Sequence, residues 1–206
     1  MRGWGMATPV DPFEIPDAAL LLGAASGEFD SVADALAAGA RVEARDMRGR
    51  CALLLAVIGD HLEIARLLVD AGADPNAVDH RLDTPWLATG VTGSVRMLEI
   101  LLPAGPDMTI KNRYGGIAII PACERGQVDY VRRIVSTGID VDHVNDLGWT
   151  ALLESVILGD GSAPYQEIVR ILLAAGADPQ LADRDGVTAL AHAHAMGFSD
   201  VAAVLT

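Results

Sequence analysis

Five glycines mark the chain at nearly constant intervals. Gly39-Ala40-Arg41, Gly72-Ala73-Asp74, Gly105-Pro106-Asp107, Gly138-Ile139-Asp140 and Gly176-Ala177-Asp178 stand 33, 33, 33 and 38 residues apart. A fixed period of this length belongs to stacked supersecondary units, none of which can bury its apolar face alone. Upstream of each later glycine runs an amphipathic segment (62–72, 95–105, 128–138, 166–176), which predicts a helix ended by glycine at its C-cap. A shorter apolar segment precedes each of these (51–60, 84–93, 117–126, 150–159), with a last one at 188–197. Several open on Thr-Ala or Thr-Pro, a capping hydroxyl followed by a residue tolerated in a first helical turn. Each unit therefore reads as helix, turn, helix and an extended finger. The octets GADPNAVD (72–79) and GADPQLAD (176–183) are two of the fingers, where Asp-Pro favours a turn.

Composition agrees with closely packed helices. Of 206 residues 51% are hydrophobic and only 4% aromatic, which disfavours a sandwich or barrel and calls for one unit rather than two. No apolar run reaches the roughly 18–20 residues of a membrane span. Residues 1–16, broken by Pro9, Pro12 and Pro16, lack the apolar core of a secretory signal, so they are expected to be a loose leader and the protein cytoplasmic. A net charge of −13 makes broad binding to nucleic acid or anionic lipid unfavourable. Cys51 and Cys123, 72 residues apart, suggest neither a disulfide framework nor a zinc site and are expected to be buried.

The pattern resembles the ankyrin repeat, an all-α repeat solenoid, most closely at Gly148-Trp149-Thr150-Ala151-Leu152 and Gly186-Val187-Thr188-Ala189-Leu190. The texture of 113–126 and 147–161 is similar to small free-standing bacterial ankyrin proteins. The resemblance covers residues 17–206 as about six units: 17–46, 47–79, 80–112, 113–145, 146–183 and 184–206. Two departures stand out. The family's histidine after Thr-Pro-Leu is replaced by Leu54, Leu87, Ile120, Leu153 and Ala191, so apolar packing must take the place of a polar ladder, and Leu82 stands where the finger turn usually has glycine.

The resemblance implies a concave groove for a protein partner, lined by fingertips and the ends of the first helices. Carried over unit by unit, its contact positions include Arg48 and Arg50, Arg81, Arg113 and Tyr114, Glu124 and Arg125, then Trp149, Ile157 and Leu158, with Glu154 nearby. Arginine interleaved with Tyr114 and Trp149 suits an acidic or mixed-charge segment, with the aromatic and aliphatic residues as anchor. The competing expectation is that these arginines are solvated and neutralise Asp46, Asp79 and Asp183. Charge also grades along the stack. Residues 41–50 carry four arginines against two carboxylates, a net of +2, whereas 140–149 carry three aspartates, a net of −3.

The long step of 38 places five extra residues between Gly159 and Glu167, ending at Tyr165, which reads as a surface loop beside Ile157 and Leu158. No P-loop, nucleophile elbow, zincin helix or dinucleotide fingerprint appears, so an enzyme is the less favoured reading. The alternative to a protein-binding groove is a small-molecule or catalytic site under the 160–166 loop built from Glu124, Arg125, His143 and Glu154. His192 and His194, two apart on a helix, point to different sides and do not make a metal pair. No cofactor or metal is expected. Trp86 takes a position usually held by a core leucine, and packing is its expected role.

Overall fold

Most of the first helices begin on a side chain that caps them. Thr84, Thr150 and Thr188 accept a hydrogen bond from the backbone N–H three residues on, at 3.0, 3.2 and 3.4 Å, and Cys51 does the same through its thiol sulfur at 3.4 Å. The computed structural model describes residues 14–206. These form six helix pairs: α1 (Glu14–Ser26) with α2 (Phe29–Ala37), α3 (Ala52–Ile58) with α4 (Leu62–Asp70), and α5 (Pro85–Thr92) with α6 (Val95–Leu101). The series continues with α7 (Ile119–Glu124) and α8 (Val128–Ile134), α9 (Ala151–Ile157) and α10 (Ala163–Ala174), and α11 (Ala189–Ala195) and α12 (Ser199–Leu205). Helix α1 takes in Glu14, Ile15 and Pro16, three residues of the expected leader, and the rest of the leader lies outside the described residues.

Gly39, Gly72 and Gly176 lie one residue beyond the C-cap instead of forming it, whereas Gly105 and Gly138 are themselves caps of short 3-10 turns. Ala71 caps α4, the Gly72 N–H donates to the Val69 carbonyl and the Ala73 N–H to Leu68, with Gly72 at φ +88°. Gly176 closes α10 in the same way at φ +95°, the left-handed conformation that a Schellman ending requires. Helices α6 and α8 reach their glycines through short 3-10 turns, Leu102–Ala104 and Val135–Thr137. Past the glycine, Asp74, Asp107, Asp140 and Asp178 each accept a bond from the N–H two residues on, which turns the chain toward the finger.

First helices pack on first helices (α1, α3, α5, α7, α9, α11) and second on second (α2, α4, α6, α8, α10, α12), each touching its neighbours along the stack. One continuous apolar core runs through all of them. Leu54, Leu87, Ile120 and Leu153 are buried, as apolar replacement of the polar ladder requires, while Ala191, in the last unit, is exposed. Trp86 is buried against the core, and both cysteines are buried and free. Helices α5 and α7 come so close that a Cβ on Gly90 would lie 1.8 Å from the Ala118 carbonyl oxygen.

Candidate functional site

The fingers are held in shape by one motif used five times. Asp46, Asp79, Asn112, Asn145 and Asp183 each accept bonds from the N–H groups two and four residues on, at 2.7–3.0 Å, closing a short hairpin. Fingers are tied to one another by the His80 N–H to the Arg48 carbonyl, the Asp146 N–H to the Tyr114 carbonyl, and the His143 ring to the Gly115 carbonyl at 2.7 Å. Four of the five turns place glycine in the left-handed region; the fifth forces Leu82 to φ +62°.

Two sets of apolar side chains lie open, one on the fingertips and one at the ends of the first helices. Met47, Leu82, Tyr114 and Leu147 stand on the fingertips, and Ile58, Val91, Leu158 and Met196 at the ends of first helices, all exposed, with Tyr114 at 56% and Leu147 at 52%. Two adjoining clefts share Asn112, Arg113, Tyr114, Glu124 and Arg125. One reaches back to Leu54, Arg81 and Asp83 in the second and third units. The other, about 380 Å³ and open to solvent, adds Ile120, Asn145, Leu147, Glu154 and Leu158.

Glu154 gives the second cleft its chemistry. It rises from α9 in the cleft wall, is only 6% exposed, and accepts one hydrogen bond, from the Asn145 side-chain amide at 2.6 Å. Burial, together with the nearby Glu124 charge, pushes its carboxyl up to about 7, against the opposing pull of the Asn145 amide and Arg125. Asparagine at the base of this finger is what permits the arrangement, since an aspartate would set two carboxylates against each other. Beside it, Arg125 pairs with Glu124 at 2.8 Å and donates to the Pro121 carbonyl at 3.1 Å. The five-residue insertion also acts here. It lengthens α10 to 12 residues and places Tyr165 against the turns at Gly126 and Gly159, with its hydroxyl donating to the Glu124 carbonyl at 3.0 Å.

Of the residues singled out from sequence, Arg113, Tyr114, Glu124, Arg125, Glu154 and Leu158 meet around the second cleft, and Arg81 lines the first. Trp149 and Ile157 line neither; both are half-buried against the core. Arg48 and Arg50 stand on the finger of the second unit, outside both clefts. Several arginines are already matched: Arg50 with Asp46 at 2.7 Å, and Arg113 with Asp83 at 3.3 Å while its guanidinium lies 4.6 Å above the Tyr114 ring. Of the three finger aspartates expected to be neutralised by arginine, Asp46 pairs with Arg50, whereas Asp183 pairs with His192 at 2.7 Å. His143, part of the alternative site, is turned to the Gly115 carbonyl and does not line the cleft. Asn112 and Asn145 were not singled out, although asparagine in place of the finger aspartate was a visible signal.

A family profile described as ankyrin repeats (3 copies) matches residues 86–183, and a single ankyrin repeat profile matches 48–80. YahD of Escherichia coli (strain K12), named for its ankyrin repeats, is 39% identical over 90% of this chain and 92% of its own. An ankyrin repeat domain from Acinetobacter baumannii AYE, solved by crystallography, superposes with a TM-score of 0.86 at 44% identity, covering 90% of this chain and 95% of that one. The crystal structure of the ankyrin repeat protein EF0377 gives a TM-score of 0.88 at 37% identity over 92% and 96% of the two chains.

Proposed function

This chain belongs to the ankyrin-repeat family, and from that premise we propose that it is a protein-interaction module whose concave groove holds a mixed-charge segment of another protein. The observation that carries the reading is the exposed apolar side chains on the fingertips and first-helix ends, five of which line the two clefts. Such a surface is costly to leave in water, and a partner that covers it recovers about 25 cal/mol for each Å² of apolar area removed. Charge then sets direction. Among the described residues the side chains of Arg48 and Arg81 have no ion pair, so the first fingers meet acidic groups of the partner, while the apolar side chains supply the anchor. The cleft beside Glu154 is open and lacks His143, which suits a side chain of a larger partner better than an enclosed substrate.

The reading is tested by affinity capture on the immobilised chain, followed by identification and recombinant reconstitution of what is retained. A partner held by the groove is lost with Tyr114→Asp and Leu147→Asp, weakened by Arg48→Glu with Arg81→Glu, and kept by the outer-helix variant Arg66→Glu. Binding that survives the groove variants and disappears with Arg66→Glu would move the interface to the outer helices and end this proposal.

A further inference from the structure

We propose that the cleft between the finger turns at Asn112 and Asn145, in the fourth and fifth units, is built to take one lysine or arginine side chain of the partner segment, with Glu154 as its ion-pair acceptor and Tyr114, Leu147 and Leu158 as walls for its aliphatic stem. The proposal rests on the groove reading and adds a specific residue class at one place in it. Glu154 is a buried carboxylate with unmet capacity. A carboxylate accepts up to about four hydrogen bonds, and among the described residues Asn145 alone donates to this one. With so little of the side chain in water its charged form is poorly solvated, and a donor entering from the open side would stabilise it.

The charges around it specify that donor. Arg113 and Arg125 line the same cleft, but Arg113 is matched by Asp83 and stacked on Tyr114, and Arg125 is matched by Glu124. Glu154 is left as the carboxyl without an ion pair, and a cation beside it would favour its charged form, so the complementary group is a cation. The walls require that the cation arrive on an apolar stem, because Ile120, Leu147 and Leu158 line the approach. Lysine and arginine combine both properties, covering apolar surface with their methylenes while keeping the charged head on its partner. The net charge of −13 favours approach of a basic segment from a distance. The Tyr165 hydroxyl, bonded to the Glu124 carbonyl, fixes the helix end that forms the far wall, so the cleft is preformed.

A phage-displayed library of random 12-residue peptides, selected on the full chain, tests this. The expected binders share one fixed Lys or Arg flanked by apolar positions. Replacing that residue by norleucine in the synthetic peptide weakens binding at least 10-fold, and so does Glu154→Gln in the protein, whereas Glu63→Gln on α4 changes nothing. Glutamine keeps an oxygen for the Asn145 amide, and the norleucine peptide probes the same contact with the protein unaltered. Binders that are lost with Leu147→Asp yet tolerate norleucine or Glu154→Gln would leave the groove reading standing and overturn the basic pocket. Binders indifferent to Leu147→Asp, or no binders at all, would overturn both.

Discussion

Glu154 holds its proton to about neutral pH because its charged form is shut away from water and faces Glu124. In the unfolded chain the same carboxyl returns to an ordinary value near 4.5. Between those two values the native state keeps a proton that the unfolded state has lost. This contribution is therefore largest in acid, declines as pH rises from about 4.5 to about 7, and then levels at a loss on the order of 3 kcal/mol. Glu154→Gln has no such loss, so it is expected to melt above the wild type at about pH 8, with the gap closing toward pH 5. Thermal melts at several pH values check this, and a gap independent of pH would show that the carboxyl ionises freely. Leu82 is a second strained choice. At φ +62° a branched side chain costs about 1 kcal/mol over glycine, and at 50% exposure it returns little packing. Leu82→Gly is expected to gain about 0.5 kcal/mol, read as a higher urea midpoint, and to weaken the partner by removing one member of the fingertip set.

At the scale of elements, the closest approach lies between α5 and α7. Alanine favours a helix over glycine by about 1 kcal/mol, yet Gly90→Ala would drive a Cβ into the Ala118 carbonyl. Overpacking wins, and a net loss of about 2 kcal/mol in denaturant unfolding is expected. Tyr165→Phe removes the bond that ties α10 to the end of α7, with a cost of about 1 kcal/mol and faster amide exchange at Gly126 and Gln127 as the local readout. What was legible in the sequence follows from this difference between local and distant contacts. Helix ends at Gly72 and Gly176, threonine caps and finger turns depend on residues within about five positions, so their spelling betrays them. The bond from Asn145 to Glu154, the pairing of Arg113 with Asp83 and the half-burial of Trp149 arise only when one unit is folded on itself or docked on the next. For that reason the arginine strip looked richer in free charge than it is. The earlier start of α1 has a local cause instead, since Pro16 falls in the first turn, where a missing N–H costs nothing.

At the scale of the molecule, the described units lean chiefly on their neighbours, so stability is close to a sum of unit and interface contributions. Among the described residues α1 and α2 have a neighbouring unit on one side only, and Gly23 lies in the middle of α1. Their amides are expected to exchange faster than those of α5 to α10 in native-state hydrogen exchange, and equal protection along the stack would contradict the account. The same periodicity has a cost in recognition. A surface that nearly repeats every 33 residues offers a long partner several almost equivalent seats, one unit apart, and thus invites slippage. The lengthened α10, with Tyr165 locking its start and Glu154 beside it, occurs in one unit alone among those described. It breaks the translational symmetry of the groove, serving as a fiducial mark from which every other contact of a bound segment would be counted.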